Sequence, residues 1–276
     1  MSALVKPSRL VLLGHPIAHS LSPVFQNAAL RYIGSTLRYE LLDVTPARLH
    51  DTLDALAAEG AAGNVTVPHK SAVASRARCT ALAERVGAVN TFWHVDGMLH
   101  GDNTDVAGVS ASITALCPFG VAETRCVVIG AGGSAAAAIV ALSTLGCGDI
   151  VIAARNAEGA RRLAAHAGIS VRVVSIDDPG VGTAGLVINA TPIGMTDECM
   201  PVPPSALSAN TAALDLVYRR NATAWVRACR ERGHRAEDGL RMLLAQGASA
   251  FERWFGVPAP REAMSRALIA EAGRCA

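Results

Sequence analysis

Residues 125–135 read RCVVIGAGGSA, and the fold is decided here. Cys126 to Ile129 is a short apolar run rich in β-branched residues and closed by glycine, the pattern of a buried strand. Gly130 permits a tight turn, Gly132 lets the backbone approach a pyrophosphate, and Ala135 takes the place of a third glycine where helix packs on strand. Ala131, Gly133 and Ser134 complete a turn that opens an Ala-rich helix, whose unpaired N–H groups and positive dipole end suit a phosphate. The plain alternative is a glycine-rich turn that only packs helix on sheet; the strand–turn–helix context favours dinucleotide binding. About twenty residues further on, a chain using NAD would present an acid to the ribose 2′-hydroxyl. Ala154-Arg155-Asn156 stands there instead, and Arg155 can pair with a 2′-phosphate. NADP is therefore expected, with NAD as a weaker cofactor. Asp149 is acidic but lies at the beginning of its strand, the wrong end for this contact.

Outward from this stretch the chain alternates short β-rich runs with longer Ala/Leu-rich segments, the mark of α/β architecture. Before it, strands are expected at Val11–Leu13, Leu37–Val44, Asn64–Val67 and Ala88–Phe92, with a hairpin over His94–Leu99 about the Asp96-Gly97 turn signal. Helices are expected over Pro23–Tyr32 and Pro46–Ala58, the second with proline in its first turn. Thr104–Leu116 reads as a helix leading into the second unit. There, helices at Gly133–Leu145 and Ala157–Ala167 alternate with strands at Asp149–Ala154, Val171–Val174, Leu186–Asn189 and Ala212–Leu216. A long amphipathic helix follows Asp238, and Pro260–Ala272 supplies another.

At 276 residues the chain suits two ordinary domains. A hydrophobic fraction of 51% with 17% charge excludes wholesale disorder, and a net charge of +2 without basic blocks offers no footprint for nucleic acid or anionic lipid. A small-molecule partner is favoured. The longest uncharged stretch, Cys126–Gly148, is punctuated by glycines and reads as strand, turn and helix rather than a membrane span. The opening MSALVKPSRLVLLG lacks a small-residue cleavage pattern and reads as leading into a first strand. Seven scattered cysteines (79, 117, 126, 147, 199, 229 and 275) without CxxC suit free thiols in a reducing, cytoplasmic setting. Eight histidines show neither HExxH nor a companion cysteine pair, so no metal is assigned.

Four polar stretches in the first half would be odd in a core and make sense in a polyol-binding cleft: GHPIAHSLSP, NVTVPHK, GAVNT and GDNTD. Ser20 and Ser22 follow a strand two residues apart, so both hydroxyls can face one way; the plain reading is that Ser22 caps the helix that begins at Pro23. Lys70 follows a strand that stops at Pro68, and Thr104 before Asp105 can cap a helix. A lysine and a carboxylate in one cleft can manage the proton of an alcohol undergoing oxidation. As an isolated pair they would more often be surface charges.

In this order, GHPIAHSLSP, GNVTVPHK, GAVNT, GDNTDVAG, VIGAGGSA, INATPIGM and DGLRMLLAQGASAFERW resemble the shikimate dehydrogenase family along nearly the whole chain. The resemblance implies two α/β domains: a substrate domain from residues 1–105 closed by C-terminal helices within 239–276, and an inserted Rossmann NADP-binding domain over 106–238, with the active site in the groove. It implies interconversion of shikimate and 3-dehydroshikimate by hydride transfer, on the way to chorismate and the aromatic amino acids. It makes Lys70 and Asp105 catalytic, places Ser20 and Ser22 on the substrate carboxylate with Tyr218 nearby, and sets Thr66, Asn90, Asp105 and Gln246 on the ring hydroxyls. Gly239 and INATPIGM, with Thr191, lie along the cofactor beside the glycine turn, Arg155 and Asn156. The chain departs from the family where a second arginine is common, since Gly159 stands there, where Ser134–Ala138 lack an arginine, and at Gln26, commonly histidine. Within the family the runner-up is a quinate or aminoshikimate dehydrogenase; outside the enzymes it is a ligand sensor that kept the cleft but lost turnover. A monomer or a homodimer fits either.

Overall fold

The computed structural model describes residues 7–273. Met1–Lys6 and Cys275 lie outside the described residues. The chain divides into two compact units, one formed by Met1–Thr104 with Leu244–Ala276 and one by Asp105–Leu243.

In the first unit the order is β1 (Leu10–Gly14), α1 (Ser22–Tyr32), β2 (Tyr39–Asp43), α2 (Leu49–Glu59), β3 (Ala62–Val65), α3 (Lys70–Ala74), β4 (Arg78–Cys79), α4 (Ala81–Val86), β5 (Thr91–Val95) and β6 (Met98–Asp102). They form one sheet in the order β2-β1-β3-β5-β6-β4. β1 is parallel to both its neighbours and buried along its whole length, which is why LVLLG has no polar alternation. The β5–β6 hairpin turns at Asp96 and Gly97, with φ of 51° and 72°, as a two-residue turn between twisted strands demands.

The strands of this hairpin lie further along than the apolar run Ala88–Phe92 suggests. Pairing is symmetric about the turn, starting with Val95 opposite Met98, so the first arm ends at Val95. Ala88 and Val89 are buried outside the ladder, and the N–H of Val89 donates to Lys70 O at 3.0 Å. Pro46–Arg48 forms a short 3₁₀ turn ahead of α2 rather than its first turn.

The second unit contains α5 (Asp105–Leu116), β7 (Arg125–Ile129), α6 (Gly133–Thr144), β8 (Asp149–Ala153), α7 (Ala157–His166), β9 (Arg172–Val174), β10 (Leu186–Asn189), β11 (Ala212–Asp215), α8 (Ala224–Glu231) and β12 (Ala236–Glu237). Its sheet runs β12-β11-β10-β7-β8-β9, parallel throughout. This is the doubly wound Rossmann order, whose switch point between β7 and β10 is where such sheets bind ligands. Ala135–Leu142 of α6 are all buried, which explains the helix's uncharged composition. The core between β7, β8, β10, β11 and α8 centres on the fully buried Trp225.

The remaining helices are α9 (Leu240–Phe255) and α10 (Arg261–Glu271). The division between the units falls inside α9, after Leu243. In the first unit α10 packs along α1.

Candidate active site

Ser20 and Ser22 follow β1. Ser22 does not cap α1: Leu21 is the capping residue, Ser22 is the first helical residue, and no side chain closes that end. Proline in the first turn removes one N–H that a cap would have served. The N–H of Ser22 instead donates to Ser20 Oγ at 3.2 Å, so the two serines are linked as well as adjacent.

Thr66 lies just past β3 with its N–H bonded to Leu13 O at 2.8 Å, and is half-buried. Lys70, also half-buried, is the first residue of α3. Asp105 opens α5 and is 4% exposed, at a helix end whose dipole favours a negative charge.

The most connected part of the first unit is a buried polar cluster. Asn90 Nδ2 donates to Thr104 Oγ1 at 3.0 Å and to Gln246 Oε1 at 3.3 Å, joining residues 156 positions apart. Asn90 Oδ1 accepts from the N–H of Thr104 at 2.7 Å and from Thr91 Oγ1 at 3.1 Å. Thr104 is thus tied to Asn90 through both its backbone N–H and its hydroxyl. Behind Asn90, Asn64 Nδ2 donates to Asn90 O and Thr91 Oγ1, while Tyr39 Oη donates to Asn64 Oδ1 at 2.7 Å. Sequence reasoning does not single out Asn64, Thr91 or Tyr39. The available signal is polar residues buried within strands, Asn64 inside β3 and Tyr39 and Thr91 at the buried first positions of β2 and β5, which need partners of their own. Gln26, 1% exposed, donates to Gly247 O at 2.9 Å and so ties α1 to α9 beside Gln246.

In the second unit Gly130 has φ of +119°, and a β-carbon there would lie 3.0 Å from Ala190 O and 3.1 Å from Thr191 Cγ2. Only glycine leaves the first motif this close to the second. Gly132 caps α6 without any side-chain hydrogen bond, and a β-carbon built on it would meet nothing within 4 Å. Ala131, Gly133 and Ser134 are not fully buried, and Ala135 is fully buried against the sheet. The helix thus begins with N–H groups that no side chain caps and with free space beside Gly132, an arrangement that fits a dinucleotide pyrophosphate.

Arg155 and Asn156 are exposed after β8. Asn156 caps α7, its Oδ1 accepting from the N–H of Gly159 at 2.9 Å. A β-carbon on Gly159 would lie 2.8 Å from Asn156 Nδ2. Asp149 opens β8 at the opposite end of the strand and pairs with Arg125 and Arg172; the Arg125 hydrogen bond above all holds its carboxyl below the usual range. Thr191 and Tyr218 follow β10 and β11, Thr191 half-buried and Tyr218 within half-buried surroundings, and Gly239 follows β12. Among the described residues no group of three or more His, Cys, Asp or Glu is placed to hold a metal ion. No helix among them is long and apolar enough to cross a membrane.

Three family models match the chain in succession. "Shikimate dehydrogenase substrate binding domain" covers residues 12–92, "Shikimate / quinate 5-dehydrogenase" residues 114–193, and "Shikimate 5'-dehydrogenase C-terminal domain" residues 239–269. The shikimate dehydrogenase (NADP(+)) of Moorella thermoacetica is 43% identical over 269 residues, covering 93% of this chain and 91% of its own. That of Mesorhizobium japonicum is 40% identical, covering 93% of each. The shikimate 5-dehydrogenase of Thermus thermophilus, solved in complex with NADP(H) and shikimate, superposes with a TM-score of 0.86 at 33% identity, covering 96% of this chain and 99% of its own. On these matches, and on a glycine turn and polar cluster formed from the motifs that first suggested it, the chain belongs to the shikimate dehydrogenase family.

Proposed function

We propose that this chain interconverts shikimate and 3-dehydroshikimate with NADP, in the route to chorismate and the aromatic amino acids. The observation that carries the reading is identity to relatives named for that reaction along 93% of the chain. In this reading residues 1–105 and 239–276 make up the substrate-binding part, and residues 106–238 the dinucleotide-binding part.

Ser20 and Ser22 bind the substrate carboxylate, with Tyr218 as a further contact. Thr66, Asn90, Asp105 and Gln246 take the ring hydroxyls; the Asn90–Gln246 hydrogen bond supports this by holding both amides in one orientation. Lys70 receives the proton of the reacting hydroxyl, and Asp105 orients that hydroxyl and complements the lysine's charge. When bound, NADP supplies the hydride chemistry at the carbinol carbon. Gly130, Ala131, Gly132, Gly133, Ser134 and Ala135 form the pyrophosphate cradle, Arg155 with Asn156 faces the 2′-phosphate, and Thr191 and Gly239 border the nicotinamide. The chemistry needs small molecules only, in a monomer or homodimer. A cytoplasmic location is supported by the free state of the six described cysteines.

Absorbance at the reduced-nicotinamide band, with shikimate and quinate against NADP and NAD, tests this directly. Shikimate should be strongly preferred, because a site built to bond particular hydroxyls penalises a misfit. Equal efficiency with quinate would mean the cleft is misassigned, and no turnover with any pair would favour a ligand sensor. NADP should outperform NAD, by less than in relatives with a second arginine. Arg155→Ala should lower kcat/KM for NADP by roughly 10- to 100-fold, the worth of a charge-assisted hydrogen bond, and leave NAD nearly unaffected. Equal losses with both cofactors would remove Arg155 from the 2′-phosphate.

A further inference from the structure

Asn189 and Asp215 are the last residues of β10 and β11, stand opposite each other in register, and are both fully buried. Asn189 Nδ2 donates to Asp215 Oδ1 at 2.8 Å. Nδ2 also donates to Ile193 O at 3.2 Å, while Oδ1 accepts from the N–H of Thr191 at 3.1 Å and from its hydroxyl at 2.6 Å. The amide's whole bonding capacity is thus used, three of its four bonds going to the loop after β10. Asp215 treats the next loop likewise: Oδ1 accepts from the N–H of Val217 at 3.1 Å, and Oδ2 accepts from Thr223 Oγ1 at 2.8 Å. Val217 O in turn accepts from the N–H of Gly239 at 3.0 Å. Gly239 packs so tightly here that a β-carbon would lie 2.4 Å from Leu216 O.

One buried pair therefore bonds the backbone at and after Thr191 and just before Tyr218, and reaches Gly239 through Val217, beyond three successive strands. A filler for the strand ends would be apolar, because burying a carboxylate opposes folding and burying a hydrocarbon side chain does not. The polar pair spends its bonds on irregular backbone outside the sheet ladder, where a side chain can fix a conformation that repeating structure does not.

We propose that Asp215 and Asn189 are positioning residues, which hold Thr191 and Gly239 in the conformation that receives NADP and the Val217–Tyr218 backbone in the one that meets the substrate. The inference rests on the proposed NADP-dependent activity. Neither residue touches the reacting atoms; both act through the loops.

The test is calorimetric titration of NADP without substrate, beside thermal melting and hydrogen exchange. Asp215→Leu should weaken NADP binding by about 10- to 30-fold, one to two lost hydrogen bonds' worth. Amides of residues 190, 191 and 193, and of 216–218, should exchange faster. Asp215→Asn should restore affinity to within about threefold, since its oxygen can accept from Asn189 and Val217 while its amide donates to Thr223 Oγ1. Val187→Ala, a core truncation on the same strand as Asn189, should lower Tm and leave NADP affinity unchanged. If Asp215→Leu does not fold, Asn189→Ser carries the same expectation for the 190–193 loop and leaves Asp215 its other partners. Affinity within about twofold of wild type in Asp215→Leu, or in Asn189→Ser where that replaces it, overturns the inference. So does a loss in Val187→Ala equal to that in the tested variant. Failure of the wild type itself to bind NADP would instead overturn the proposed function.

Discussion

Lys70→Ala is expected to lower the turnover number by on the order of 10² to 10⁴ while shikimate still binds, the usual worth of a positioned acid–base group. Ser20, Ser22, Asn90 and Gln246 survive the change, and the Asn90–Gln246 bond is made between the two amides themselves. What disappears is the acceptor for the hydroxyl proton. Asp105→Asn should impair both binding and turnover, because that carboxylate is assigned a ring hydroxyl as well as the lysine's charge. The double mutant should then lose less than the product of the single losses. Steady-state kinetics with a shikimate titration decides it: a higher KM at unchanged kcat in Lys70→Ala would make the lysine a binding residue.

The second large effect concerns stability. Burial raises the pKa of Asp215 from 3.8 to about 6, against the opposing hydrogen bonds from Thr223, Val217 and Asn189. An acid whose folded value lies above its unfolded value binds protons more readily when folded, so stability falls as pH rises between these limits. Below about pH 4 the group is neutral in both states and costs nothing; above about pH 6 it is ionised in both, and the full cost is felt. The shift corresponds to roughly 3 kcal/mol. Denaturant unfolding of wild type and Asp215→Asn from about pH 4 to 7 should show their stability difference moving by about that amount in favour of the variant as pH rises. Subtracting the variant removes the other carboxylates, including Asp149, whose lowered pKa acts with the opposite sign. A constant difference across the range would mean that Asp215 titrates normally. An acid kept at such a cost agrees with a positioning task for it.

The parts of the fold legible in the sequence are those where local chemistry decides. The Asp96-Gly97 turn is readable because it requires two left-handed residues, and both adopt that conformation. RCVVIGAGGSA is readable because apolar run, glycine turn and alanine helix each follow their own rule. β4 and β12, two residues each, are too short for any periodicity, and the helices α3 and α4, five and six residues long, give no clearer pattern. The Ala88–Phe92 run misleads because burial alone does not make a strand; the turn's symmetry sets the ladder. Within the site, the Ser20–Ser22 link follows from spacing, whereas the Asn90–Gln246 bond closes across the chain and no local pattern announces it. There the family resemblance names the residues, and the structure supplies Asn64, Thr91 and Tyr39 behind them.

The cap on α7 constrains how this chain could come to discriminate more sharply between its two cofactors. A second guanidinium at position 159 looks like a single substitution on an exposed helix. The position is sterically tied to its own helix start, however: the new β-carbon would press on the Asn156 amide while that side chain is held by the N–H of residue 159. Gly159→Arg alone therefore requires the Asn156 side chain that caps the helix to shift. Threonine at 156 would lack the Nδ2 atom that meets the new β-carbon and still cap, though less well than asparagine. Position 159 and the cap at 156 are therefore coupled, and a gain of cofactor selectivity at one is felt in the helix start held by the other.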